Sequence, residues 1–273
     1  MTTYIKNSST VESETGSLKH ARIGYQTYAR TLIPTASSEA EGFPAIAARN
    51  DDTYEYWRPT EVPAWWQVDL GEARSINYVG IAAHNIGSVG ARVTVQHSSD
   101  GSTWDDANDA SVAPSSVAPT TDGAMLFLFP AVSARYWRLY VEDVIPTIGV
   151  VFIGGILAMQ RGFYVGHSPV TLSRQTVIRP TVSERGQWLG RSVIRSGLKT
   201  SVSWKNLTAT WYRENFDPFV SSARSYPFFF AWRPSEFPAE LAYASCDSDI
   251  APDNSGPKSY MSVGFTLSGA GYE

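Results

Sequence analysis

Acid–base, nucleophilic or metal chemistry in this chain has to be built from four histidines (His20, His84, His97 and His167), one cysteine (Cys246) and 26 acidic residues. No histidine stands at zinc-ligand spacing from another or from Cys246, no serine occupies a nucleophile elbow, and no glycine-rich loop is shaped to cradle phosphate. Paired carboxylates for glycoside hydrolysis meet in space rather than along the chain, but acids are sparse in the second half. The run Asp247, Asp249, Asp253 and Asn254 lacks the glycine and terminal glutamate of a calcium-binding helical hand and reads as a solvated loop. These residues point away from catalysis and toward binding. With Cys246 alone, no intrachain disulfide can form, which fits folding in a reducing compartment.

The elements that must position such residues are strands. In Val93–Ser98, Val93, Val95 and His97 alternate with Thr94, Gln96 and Ser98, the pattern of a strand with one wet face. Asp100 and Gly101 then supply a tight turn, after which Trp104 is expected to fold back over a sheet edge. Trp137, Leu139 and Val141 share one face of a later strand, with Tyr136, Arg138 and Tyr140 on the other. Leu198, Thr200, Val202 and Trp204 alternate with Lys199, Ser201, Ser203 and Lys205. A Phe-rich buried strand spans 226–234, and Met261, Val263, Phe265 and Leu267 alternate in a last strand. One short helix is predicted, with Asp217 as N-cap, Pro218 at its first position and Phe219, Val220 and Ala223 as its apolar stripe. Residues 113–123 are rich in turn formers and read as an exposed loop. Residues 148–159 are too short an apolar run to span a bilayer and read as a closing strand. The first 31 residues lack periodicity and the pattern of a signal peptide; they are expected to pack across the body.

At 273 residues, with 43% hydrophobic, 13% aromatic and 18% charged residues, the chain has the composition of a globular protein of two folded units. The net charge of −4 is unevenly spread: residues 1–160 hold ten Lys/Arg against 17 Asp/Glu, and residues 161–273 hold 12 against nine. Nine basic residues between Arg161 and Arg213 face a single acid, Glu184. No nucleic-acid recognition motif accompanies this strip, so it reads as a solvated or subunit-facing set of strands.

Residues 63–71 (PAWWQVDLG), 93–104 (VTVQHSSDGSTW) and 134–141 (ARYWRLYV) resemble signatures of the coagulation factor 5/8 type C family, the discoidin-like, galactose-binding-like domains. The resemblance implies a mainly β chain with a jelly-roll sandwich over 32–160 that binds glycans, lipids or protein surfaces. In related carbohydrate-binding modules an aromatic ring, a histidine, an asparagine and an arginine grip the sugar from loops at one end. By position these become Tyr54, Tyr56, Arg58, His84, Asn85 and Arg92. The other reading of the same residues is structural: Tyr56 and Trp57 plug the sandwich edge, His84 bonds local backbone and Arg58 meets a neighbouring protein. Trp57 and Trp65 match the family's structural tryptophans. Some relatives hold calcium in the loop corresponding to 50–53, but residues 156–159 lack the acid that completes that site, so no metal and no cofactor are expected.

The second half, 161–273, orders a strand, a short helix, a Phe-rich strand, the segment WRPSEFP (232–238) and an alternating strand. It resembles the β-barrel units of distal-tail proteins from phage tail tips, and RIGY (22–25) and the stretch 41–59 are similar to tail proteins of tailed phages. That resemblance implies a barrel-like assembly domain with one short helix, a hexameric or trimeric ring, and the tail tube, hub and tape measure as partners. It also implies a virion location after assembly in the host cytoplasm, with neither membrane insertion nor specific nucleic-acid binding, and a host-surface glycan as a further partner. The alternative is a free-standing lectin or carbohydrate-binding module without catalytic activity.

Overall fold

The computed structural model describes residues 1–105, 116–164, 166–255 and 259–270. The part of the turn-rich loop from 113 to 115 therefore lies outside the described residues. Fourteen strands follow in chain order: β1 Thr2–Ile5, β2 Arg22–Gly24, β3 Thr35–Ala36, β4 Ala64–His84, β5 Arg92–Ser98, β6 Met125–Glu142, β7 Ile148–Gly154, β8 Leu157–Ala158, β9 Arg174–Val182, β10 Trp188–Thr208, β11 Phe228–Ala231, β12 Leu241–Cys246, β13 Pro252–Ser255 and β14 Tyr260–Ala270. No helix among the described residues is long and apolar enough to cross a membrane.

Two long antiparallel strands, β4 and β6, make the sandwich. Their register breaks between Asp69 and Arg74 and again between Ile76 and Tyr78, and Gly71 takes the positive φ of 78° that the corner requires. At that corner Arg135 grips Asp69 through two bonds of 2.7 Å. Each long strand thereby serves two layers. One holds the halves near Trp66 and Trp137 with β3 and β5 alongside; the other holds the halves near Val79 and Phe127 with β1 and β7 alongside. Trp66, Val68, Val95, Trp137 and Leu139 from the first layer meet Val79, Ile81, Phe127, Val151 and Ile153 from the second in one core. The face of β5 expected to be wet is instead covered: Thr94, Gln96 and Ser98 are all buried, with Gln96 Oε1 accepting a bond from Arg138, whose guanidinium lies 4.0 Å from the Trp104 ring centroid. An arginine over an indole can cover polar strand residues without stripping them of partners, which the period-two pattern does not reveal. In the turn after β5, Asp100 Oδ1 accepts the N–H groups of Ser102 and Thr103 at 2.8 Å.

Beyond Gly154 the chain leaves the sandwich. Leu157 and Ala158 do not extend the closing strand but pair with β2 in a second, eight-stranded sheet ordered β8-β2-β11-β12-β14-β10-β9, with β13 on β14. Among the described residues this sheet has β8 and β9 as its edges, with no pairing between them that would close a barrel, and packs on a helical segment. That segment begins earlier than the sequence suggests: a turn at Ala209–Trp211 and a wide π turn at Tyr212–Phe216 run directly into the helix Asp217–Ala223. Asp217 is therefore a helical residue and not the cap. Tyr212 and Phe216 are buried with Phe219, Trp204, Phe228 and Phe265, and this burial draws the earlier residues into helix.

The other face of the second sheet lies on the sandwich. Tyr78, Leu126, Leu128, Val150 and Phe152 pack against Phe229, Leu241 and Tyr243, so the middle layer is buried on both sides. Phe152 and Phe229 meet edge to face at 5.3 Å. The first residues, which show no periodicity, join both bodies: β1 pairs in parallel with β6, the helix Ser8–Thr15 contributes Val11 to the interlayer cluster, and β2 lies between β8 and β11. Fully buried Arg22 locks this arrangement, donating to the carbonyls of Gly16 (2.6 Å) and His20 (3.0 Å). Burial lowers its pKa to about 10, partly offset by the charge of Glu12.

Gly80 is the tightest point of the joint, since a Cβ there would sit 2.5 Å from the Phe229 ring. Gly80→Ala is expected to destabilise the protein by about 1–3 kcal/mol through overpacking, and Phe229→Ala by about 3–5 kcal/mol through the cavity left behind. Thermal unfolding of the double variant should show a cost well below the sum of the two; strict additivity would mean that the two residues do not share this contact.

Candidate ligand-binding site

The loop from Asn50 to Arg58 is held from within. Trp66 Nε1 donates to Ala45 O at 2.8 Å, which seats the short helical turn Ala45–Arg49 at the start of the loop. Asn50 Oδ1 accepts Asp52 N–H at 3.0 Å while its Nδ2 donates to Glu55 at 2.8 Å, and Tyr56 Oη donates to Thr53 O at 2.8 Å. Trp57 is fully buried, exchanges two backbone bonds with Ile148, and donates its indole N–H to Ser38 O at 3.1 Å. The second structural tryptophan is Trp66 and not Trp65, because Trp66 is the one facing the core while Trp65 is half-buried.

The end of β7 draws the two predicted loops together. Ile148 pairs with both Trp57 and His84, and a Cβ on Gly149 would lie 2.9 Å from Glu55 O and 3.0 Å from Ala83 Cβ. Of the six residues, Tyr54 (71% exposed) and Arg58 project into solvent, and Tyr56 is half-buried with its hydroxyl turned back on the loop. The other three have structural engagements. His84 is buried, its Nδ1 accepting Ile86 N–H at 3.2 Å and its Nε2 lying 3.0 Å from Gly123 O. That pair of bonds requires the neutral ring protonated at Nε2. Asn85 Oδ1 accepts Thr147 N–H at 2.7 Å. Arg92 is half-exposed and paired with Asp143 at 3.2 Å. His84 and Asn85 thus fasten the sandwich end, and the solvent-facing part of the candidate set is Tyr54, Arg58, half-buried Tyr56, and Arg92 with its exposed partner Asp143.

Sequence spacing did not reveal a knot on the other flank of the loop. Arg30 binds Asp51 with both ends of its guanidinium, at 2.8 and 2.9 Å, and lies 3.9 Å from the ring centroid of Tyr226. Tyr243 Oη donates to Asp51 O at 2.9 Å. The contacts here join residues 21 to 196 positions apart, so no local pattern signals it. The Asp51 carboxylate and carbonyl are thereby both engaged by protein donors, which leaves them poorly suited to a hard metal ion. Among the described residues there is no group of three or more His, Cys, Asp or Glu side chains placed to hold a metal. Burial, reinforced by Asp247, pushes the Cys246 thiol pKa up to about 12, which keeps it protonated near neutral pH.

The sandwich of bent strands is also the part of the chain that a family model matches. Residues 34–151 match the F5/8 type C domain. No curated protein matches the chain. Among solved structures, chitosan-binding module 1 from a Paenibacillus sp. IK-5 chitosanase/glucanase is 21% identical, covering 48% of this chain and 99% of the module with a TM-score of 0.40. A Clostridium perfringens module solved with GalNAc-β-1,3-galactose is 12% identical over 48% of this chain and 100% of its own, with a TM-score of 0.41. The CBM32 of AlyQ, solved with 4,5-unsaturated mannuronic acid, is 20% identical over 48% and 96%, with a TM-score of 0.38. Residues 34–151 of this mainly β chain are thus similar to the F5/8 type C domain, and the second sheet lies outside the match.

Burial lowers the pKa of His84 from 6.5 to about 4, opposed by its bond to Gly123 and the charge of Asp122. The unfolded chain then takes up this proton before the folded one does. The stability that His84 contributes is present above pH 6.5 and is lost as the pH falls toward 4, by on the order of 3 kcal/mol over the whole window. Unfolding midpoints between pH 7 and 4.5 should fall more steeply in the parent than in His84→Gln; equal slopes would mean that His84 titrates normally in the fold.

Proposed function

We propose that this chain is a non-catalytic assembly and adhesion protein of a tailed-phage tail tip: its second sheet closes a homo-oligomeric ring and its F5/8 type C domain is presented outward to a host-surface glycan. The observation that carries this reading is an arm. The hairpin β9–β10 projects beyond the sheet, with every residue of β9 exposed and Trp188, Leu189, Val193 and Ile194 each more than half exposed. A lone two-stranded ribbon is marginal in water, and apolar residues of this size left open on it favour a protein partner.

The arm is amphipathic. β9 alternates without a break, so Ile178, Pro180 and Val182 share the face of Arg174, whose partner Leu198 belongs to the core side of the sheet. Their own partners are Val193, Arg191 and Trp188. The hydrophobic face of the sheet therefore runs out past the edge of the domain. The opposite face carries Arg179 and Arg195, and Pro180 on the edge strand discourages simple strand addition. Five arginines of the predicted basic strip (Arg174, Arg179, Arg185, Arg191 and Arg195) fall on this hairpin, in a chain whose first 160 residues are acidic. Such a distribution suits an arm laid on the acidic body of the next copy. The likeness of the second half to distal-tail proteins supports the tail tip as the setting, with the tail tube, hub and tape measure as neighbours.

A free-standing glycan-binding module is the second reading, and the exposure of both Tyr54 and Arg58 on one internally hydrogen-bonded loop favours it. The two readings separate on native mass. The full chain is expected to form a discrete trimer or hexamer over a concentration series, and Ile178→Asp with Val193→Asp is expected to return it to monomer with an unchanged unfolding midpoint. A parent chain that stays monomeric at every concentration, or a variant that keeps the oligomer, removes the arm as the assembly device.

A further inference from the structure

The sandwich covers only part of the second sheet's inner face. Where β12, β14 and β10 run out from beneath it, the loop at Arg49–Thr53 overhangs the exposed strands, and two clefts of 660 and 590 Å³ lie side by side. They share the floor residues Ser245, Ser268, Gly269 and Ala270, so they form one trough that starts between the two bodies and ends at β9. Each half is of the size that encloses a small ligand.

The strand register explains the chemistry of the floor. Ser245 pairs with Ser268, and Ser268 with Lys199, so all three project on the side opposite the buried Leu267 and Leu198. Hydroxyls, two glycines and an alanine leave a shallow surface of hydrogen-bonding groups without apolar bulk. Tyr226 walls one end, its ring 41% exposed although Arg30 lies over it. Two guanidiniums border the trough with no carboxylate partner among the described residues: Arg49 at the interdomain end and Arg195 at the outer end. Lys199 between them is paired with Asp247 at 2.6 Å.

We infer that this interdomain trough is a saccharide site of its own, taking a linear acidic glycan whose carboxylates reach Arg49 and Arg195 and whose hydroxyls lie along the Ser245–Ser268 floor. Guanidinium–carboxylate pairs at spaced points suit a polymer charged at intervals. The hydroxyl floor suits the sugar between them. Asp52 and Asp247 along the walls disfavour a densely charged polyphosphate backbone. The trough is distinct from the sandwich-end residues, because Tyr54 and Arg58 do not line it, and it does not require the arm to assemble anything.

The test is a titration of the full chain with oligogalacturonate, with neutral dextran and single-stranded DNA as comparisons and native mass recorded for each variant. Oligogalacturonate is expected to bind while dextran does not. Arg195→Ser should weaken binding about tenfold through one lost charge-assisted contact, and Ser268→Trp should abolish it by filling the floor. Ser268→Trp should keep the parent's mass and unfolding midpoint, Arg195→Ser should keep the midpoint, and Tyr54→Ala should leave binding intact. Absence of oligogalacturonate binding, tighter binding of DNA, or a loss that follows Tyr54→Ala instead of Arg195→Ser would each overturn the site. A parent chain that stays monomeric at every concentration while oligogalacturonate binding is retained would count against the ring alone.

Discussion

Burial of one β layer on both faces is the constraint from which the rest of this molecule follows. The layer formed by β7, the second half of β4 and the first half of β6 presents Val79, Ile81 and Phe127 to the sandwich core and Tyr78, Leu126 and Phe152 to the second sheet. A solitary sandwich can leave the outside of each sheet polar. Here the outside is apolar, and it needs the second sheet as cover. Close approach is secured by small residues opposite large rings: Gly80 beneath Phe229, and Gly24 beneath Tyr78, whose hydroxyl reaches Gln26 O. The two bodies therefore behave as one packed unit with three layers and a helical cap.

That joint also explains the routing of the chain. β1 must reach β6 and β2 must reach β11 before the sandwich sequence begins, so the F5/8 type C domain is threaded between two contributions to the second sheet: β2 before it and β8 after it. Arg22, sealed among carbonyls at the end of the first helix, is costly to bury and has few alternatives once those segments meet. Its effect is to hold the entry segment in a single position. The Arg30–Asp51–Tyr243 knot does the same at the far side, where it fixes the loop after the Ala45–Arg49 turn against the second sheet.

Functional surfaces sit where this packing ends. The sandwich end keeps Tyr54 and Arg58 in solvent because Trp57 and His84 fasten the loops beneath them. The second sheet overshoots the sandwich in two ways: its inner face continues as a polar trough, and its core face continues as the β9–β10 arm. Both arise because an eight-stranded sheet is wider than the layer that covers it.

Much of this was legible from residue order. Period-two runs at Leu198–Trp204 and Met261–Leu267, the Phe-rich β11, and the tryptophan-bearing segments of β4 and β6 specified strands, buried faces and the sandwich family, because alternation and side-chain size act over neighbouring residues. The near-unbroken apolar stretches 76–82 and 125–129 also carried the information that a layer is covered twice, although not by what. Tertiary structure alone decided that Leu157 leaves the sandwich, that Asp217 lies inside a helical segment begun at Ala209, and that Thr94 and Gln96 are covered by Arg138. It alone turned His84 and Asn85 inward and joined Arg30 to Asp51 and Tyr226. Each of these outcomes depends on a partner far away in sequence, and local periodicity holds no record of which distant surface will arrive to satisfy a side chain.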